Sequence, residues 1–171
     1  MAYDVASSPM FRVLFVCTGN ICRSPSAHGV FRHLVRAANL EHRIEADSAG
    51  LAVFPVGTPP DKHSIAAAYK RGYGIADLRS QHLKVHTLKN YNMILAMDYS
   101  HLQALSHLAS PDIAMRIQLF LDYAPQVEVR EIPDPYGGTI DRFDWVLTLI
   151  EAGVHGLVQE ICCQLDIPFS L

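Results

Sequence analysis

Apolar residues along this chain fall into short continuous runs that alternate with stretches spaced at three- and four-residue steps. Residues 11–16, Phe-Arg-Val-Leu-Phe-Val, form a mostly apolar run suited to a buried strand of a parallel sheet. A loop bearing Gly19 and Asn20 follows at 17–24, and Pro25 opens a helix at the first-turn position, where its missing N–H costs nothing. Ala27, Val30, Phe31, Leu34, Val35 and Ala38 then make one apolar stripe. The alternation continues with a strand at Ile44–Ser48 and a loop carrying Gly50, Pro55, Gly57, Pro59 and Pro60. Asp61 caps a helix to about Gly72. Met93–Met97 predicts a third buried strand, with Asp98 or Ser100 capping a helix to about Leu108, and Arg116–Leu121 predicts a fourth strand. A terminal helix from about Asp141 sets Phe143, Val146, Leu147, Ile150, Val154, Leu157, Val158 and Ile161 on one face.

Strands alternating with helices predict an α/β fold. The expectation is a single doubly wound domain with a central, mainly four-stranded parallel sheet and helices on both faces. No repeat, low-complexity tract or linker divides the chain, and 171 residues suit one compact core. The domain is expected over 11–171, with 1–10 as a flexible lead.

Composition narrows the function classes. Half the residues are hydrophobic and 18% charged, as in an ordinary globular protein, and the net charge of -3 argues against a nucleic-acid partner. No apolar run reaches the roughly 18 residues that cross a bilayer. The N-terminus carries Asp4 and lacks the basic and long apolar regions of a Sec-type export signal. Cysteines at 17, 22, 162 and 163 do not have the spacing of a secreted disulfide scaffold, so a reducing cytoplasm is expected; the oligomeric state stays open, with a monomer favoured.

The informative segment is Cys17-Thr18-Gly19-Asn20-Ile21-Cys22-Arg23-Ser24. It lies at the carboxyl end of the first expected strand and the start of a helix, where open α/β sheets bind ligands. A helix N-terminus offers unpaired N–H groups and the positive end of a dipole to an anion. Gly19 and Asn20 tolerate left-handed backbone angles, which lets the loop turn its amides inward around a phosphate. Five residues separate Cys17 from Arg23, so one turn of such a loop brings thiol and guanidinium to the same anion. The amides and dipole favour thiolate over thiol at Cys17, and Ser24 can donate to the sulfur. Nucleophile, arginine and serine in this order describe a covalent phosphoryl-transfer site. Taken alone, a cysteine after a buried strand is usually a small core residue.

VLFVCTGNICRSP resembles the phosphate-binding loop of the low-molecular-weight protein tyrosine phosphatases. The resemblance runs from about Phe11 to about Leu165 and includes Asp47-Ser48-Ala49-Gly50, Ile94-Leu95-Ala96-Met97-Asp98 and Asp134-Pro135-Tyr136-Gly137 in order. It implies a protein tyrosine phosphatase that acts on phosphotyrosine in proteins, with no metal or organic cofactor. Cys17 is then the nucleophile, Arg23 and the loop amides bind the phosphoryl group, and Asp134 is the general acid and later the base. The Asp-Pro-Tyr-Gly segment by itself reads as a simple turn. By the same resemblance Phe54 and Tyr136 wall the pocket, and Asn20 and Ser48 support the loop. Phe54 reads alternatively as a buried loop anchor.

Several residues depart from the family pattern. Thr18 replaces the commoner leucine, Gly137 stands where a second aromatic is frequent, and His28 stands where an acidic residue is frequent. The histidine that often joins the buried network has no assigned counterpart, although His82 is nearby. Cys22 is a possible redox partner of Cys17, or a loop cysteine packed on the core. Two other functions compete. An arsenate reductase on the same scaffold would relay a disulfide through two further cysteines, and residues 23–161 contain none. A catalytically silent phosphopeptide-binding module would not require nucleophile, arginine and acid together.

Overall fold

A computed structural model describes residues 9–169. The expected flexible lead at 1–10 falls almost wholly outside the described residues. The elements in order are β1 (Phe11–Cys17), α1 (Arg23–Ala37), β2 (Ile44–Gly50), α2 (Lys62–Lys70), β3 (Met93–Ala96), α3 (Tyr99–Leu108), the short α4 (Pro111–Ala114), β4 (Ile117–Leu119) and α5 (Ile140–Gln164). Two 3-10 turns at Val85–Asn90 and Phe120–Tyr123, and α4, escape the sequence pattern because each is too short to show a period.

The four strands pair in parallel in the order β2-β1-β3-β4. Alternate residues of β1 feed two cores. Val13, Phe15 and Cys17 pack with α1 and α5 on one face, while Leu14 and Val16 pack with Ile94, Ala96 and Leu105 on the other. The sheet is therefore covered on both sides, as expected of uninterrupted apolar parallel strands. Phe15 anchors the first core through edge-on contacts with Phe31 and Phe120, centroids 5.7 and 5.5 Å away.

Boundaries differ from expectation in instructive ways. The first helix starts at Arg23, so Ser24 belongs to its first turn and the loop proper is 17–22; Pro25 is the third helical residue. Asp61 caps α2 as expected, accepting from His63 N at 2.8 Å. Asp98, not Ser100, caps α3, accepting from His101 N at 2.9 Å. The fourth strand is only three residues long, because Phe120 and Leu121 turn into a 3-10 segment. The terminal helix contains an 18-residue stretch of mean hydropathy 1.4, long and apolar enough to cross a membrane, against the sequence reading. Here 56% of that stretch is buried inside the fold.

Candidate active site

The crossover from β1 runs to β2 on one side, and the next, from β2, passes back beyond β1 to β3 on the other. The carboxyl ends of β1 and β3 thus form the switch point of the sheet, where the loops that follow them face one crevice. Cys17 ends β1, and Asp98 lies two residues beyond the end of β3.

Neighbouring backbone holds the loop carbonyls outward. Cys17 O accepts from Leu51 N at 3.0 Å, Thr18 O from Ala52 N at 2.9 Å and Ile21 O from Asp61 N at 2.8 Å. With those carbonyls occupied outside, the amides are left to face in; Asn20 N reaches Cys17 Sγ at 3.2 Å. Of the two residues that tolerate a left-handed backbone, Asn20 adopts it, at φ 55, and Gly19 does not. Gly50 is demanded by close approach, since a Cβ there would meet Thr18 O at 2.6 Å.

A buried polar network fixes the loop. The Asn20 amide nitrogen donates to Ser24 Oγ at 2.8 Å and to Ser48 Oγ at 3.0 Å, and Asn20 Oδ1 accepts from Gln81 N at 2.9 Å. Ser24 Oγ, which accepts from Asn20, lies 2.9 Å from Cys17 Sγ and has a proton it can donate there. Gln81 continues the network outward, donating to Asp47 Oδ1 at 2.8 Å and to Ser48 O at 2.9 Å. Among the described residues no histidine bonds the Asn20 or Ser48 side chain, and His82 meets Gly50 through a backbone bridge. The sequence offered no signal for Gln81, because its contribution begins with a backbone N–H.

Arg23 is 4% exposed and held by two carboxylates and a carbonyl. Its Nη1 donates to Asp98 Oδ2 at 2.7 Å and to Ile132 O at 3.1 Å, while Nη2 reaches Asp134 Oδ2 at 3.2 Å and Thr18 Oγ1 at 3.5 Å. In the sequence Asp98 reads as a helix cap and as the end of a segment that carries the resemblance; its grip on Arg23 is set by the crevice. Asp134 begins a turn in which its Oδ1 accepts from Tyr136 N at 3.1 Å. Gly137 completes the turn at φ 72, a conformation that disfavours the aromatic residue frequent at this place.

Cys17, Thr18, Gly19, Ile21, Cys22, Arg23, Phe54, Asp134 and Tyr136 line one cleft of about 250 Å³. Phe54, 97% exposed, and Tyr136, 69% exposed, present aromatic surface to it, so Phe54 is not a buried anchor. Cys22 lies in the same cleft, and burial pushes its thiol up to about 12, with a smaller opposing effect from Ser64. It is therefore a protonated thiol at neutral pH. Cys162 is buried and Cys163 exposed on α5, and both are free.

The class defined by this fold and loop is a parallel α/β protein with a thiol in the loop between its first strand and first helix. A family model described as low molecular weight phosphotyrosine protein phosphatase matches residues 12–166. A low molecular weight protein-tyrosine-phosphatase of Streptomyces coelicolor is 38% identical over 159 residues, covering 91% of this chain and 96% of that protein. The crystal structure of YfkJ from Bacillus subtilis superimposes with a TM-score of 0.86 at 32% identity, covering 92% of this chain and 98% of that one. A protein tyrosine phosphatase from Entamoeba histolytica, with Hepes in its active site, gives 0.85 at 29% identity, covering 88% and 96%. The chain belongs to the low molecular weight phosphotyrosine protein phosphatase family.

Proposed function

We propose that this protein hydrolyses phosphotyrosine in protein substrates through a phosphocysteine intermediate on Cys17. The observation that carries the reading is the convergence of Cys17, Arg23 and Asp134 on one cleft between two exposed aromatic side chains. The Cys17 thiolate attacks phosphorus as the bond to the tyrosyl oxygen breaks, and protonated Asp134 gives its proton to that oxygen. Water then attacks phosphorus, the P–S bond breaks, and Asp134 takes the water's proton as inorganic phosphate departs. Ser24, whose hydroxyl faces the sulfur at 2.9 Å, stabilises the leaving thiolate. The phosphoryl oxygens engage Arg23 Nη2 and the loop amides of residues 18–23. That exchange releases Asp134 Oδ2 from Arg23 and leaves it to carry the proton.

A flat aryl phosphate fits between Phe54 and Tyr136 better than an alkyl one. Equal rates on phosphoserine and phosphotyrosine peptides would count against that preference. The cleft contains no cysteine besides Cys17 and Cys22, which disfavours a three-cysteine arsenate relay. Four free thiols favour a reducing compartment, so a cytoplasmic setting belongs to the same proposal. The test is hydrolysis of p-nitrophenyl phosphate by the parent and by Cys17→Ser. Activity abolished by the substitution supports the reading; a parent that binds phosphate without turnover makes the protein a silent binding module.

A further inference from the structure

Among the buried polar side chains given no role above, His101 is 2% exposed on α3 and touches the phosphate-binding loop. Its Nε2 lies 2.8 Å from Thr18 Oγ1. Its Nδ1 lies 3.0 Å from Asp98 Oδ1, off the line of a hydrogen bond, and has no other partner. Arg23 reaches Thr18 Oγ1 through Nη2 and Asp98 Oδ2 through Nη1. Four side chains thus close a ring beside the nucleophile: Arg23, Thr18, His101, Asp98 and back to Arg23.

The proton directions in the ring follow from its chemistry. A guanidinium can only donate, so Thr18 Oγ1 accepts from Arg23 and keeps its own proton for a further acceptor, which Nε2 becomes when the ring proton sits on Nδ1. The neutral imidazole then carries its proton on Nδ1, facing the Asp98 carboxylate. The opposite tautomer would set a bare nitrogen lone pair against that carboxylate at 3.0 Å, a repulsive contact in a buried site. Burial, the largest influence, and Arg23 hold the ring below its ordinary pKa against the pull of Asp98, Asp134 and Glu131.

We propose that His101 is a positioning residue for the reaction: neutral and protonated on Nδ1, it holds Thr18 against Arg23 and so fixes the guanidinium that receives the phosphoryl group. The catalytic consequence rests on the phosphatase reading; the ring itself does not. His101 touches no substrate and acts only through Thr18 and Asp98.

The test compares Thr18→Val, His101→Leu, their double variant and Thr18→Ser for binding of inorganic phosphate. It is joined by nitrogen-15 NMR of the His101 ring at neutral pH in the resting parent. Each disruptive single variant is expected to weaken phosphate binding about tenfold. The double variant should be no weaker than the worse single, and Thr18→Ser should stay near the parent. The NMR signature expected is a protonated Nδ1 and a bare Nε2. Phosphate binding undiminished in the singles, a double variant weakened about a hundredfold, or a proton found on Nε2 would each overturn the proposal. If His101→Leu does not fold, Thr18→Val and the NMR tautomer decide by themselves. A parent without hydrolysis would sink the phosphatase reading instead, since tautomer and phosphate binding are measured without turnover.

Discussion

Asp98 Oδ2 accepts a 2.7 Å hydrogen bond from Arg23 Nη1, tying the segment after β3 to the first residue of α1. The other oxygen of the same carboxylate caps α3 through His101 N. One side chain therefore serves the α3 cap and the buried Arg23 guanidinium together. Asp98→Ala should cost about 3 kcal/mol of stability, because it strips a buried guanidinium of its closest partner and removes a cap. Urea denaturation measures this, and Asp98→Asn, which keeps an acceptor, should lose clearly less. A cost below about 1 kcal/mol for the alanine variant would mean that Asp134 and Ile132 suffice.

Asp134 is expected to matter in proportion to how badly the leaving group needs a proton. Asp134→Ala should lower kcat/KM, which reports the step that expels the leaving group, on phenyl phosphate by roughly 10²- to 10⁴-fold. The loss on p-nitrophenyl phosphate, whose leaving group is far less basic, should be markedly smaller. Equal losses on both substrates would remove the general-acid role.

Asn20 holds the left-handed turn and three hydrogen bonds at once. Asn20→Ala should therefore disturb loop geometry most where geometry is most demanding, in the transition state. The expected signature is a kcat reduced roughly a hundredfold with inorganic phosphate binding changed far less. Steady-state kinetics with phosphate as competitive inhibitor separates the two effects.

Cys22 is expected to protect Cys17 from irreversible oxidation. Peroxide would convert the Cys17 thiolate to a sulfenic acid, and the Cys22 thiol would then condense with it, releasing water and leaving a disulfide. Dithiol reductant should restore the parent fully but Cys22→Ser only in part. Equal recovery of the two proteins removes the role.

His28 should make folding stability depend on pH. Burial pushes its imidazole down to about 4, while Asp47 pulls the other way, and its Nδ1 has no hydrogen-bond partner. The unfolded chain takes up this proton near the ordinary value of about 6.5, whereas the native state resists down to about 4. Stability is thus complete above that ordinary value and is lost as pH falls toward the folded one, about 2 kcal/mol by pH 5. Urea titrations at pH 7 and pH 5 should show a smaller fall in His28→Leu than in the parent.

The amino-acid sequence by itself determined the alternation of strands and helices, since apolar runs and three-to-four spacing are local properties of the chain. It also determined the loop, because Cys17, Asn20, Arg23 and Ser24 lie within eight consecutive residues and their chemistry is bound to their spacing. Asp134 and Tyr136 were legible only through a resemblance, being more than a hundred residues away. Only the tertiary structure decided that Asp98 grips Arg23, that Gln81 rather than a histidine steadies Asn20, and that His101 touches Thr18. Those contacts depend on which strands are neighbours. Pairing β1 with both β2 and β3 brings residues 61 to 111 positions apart onto one loop, and no local pattern of polarity encodes that adjacency.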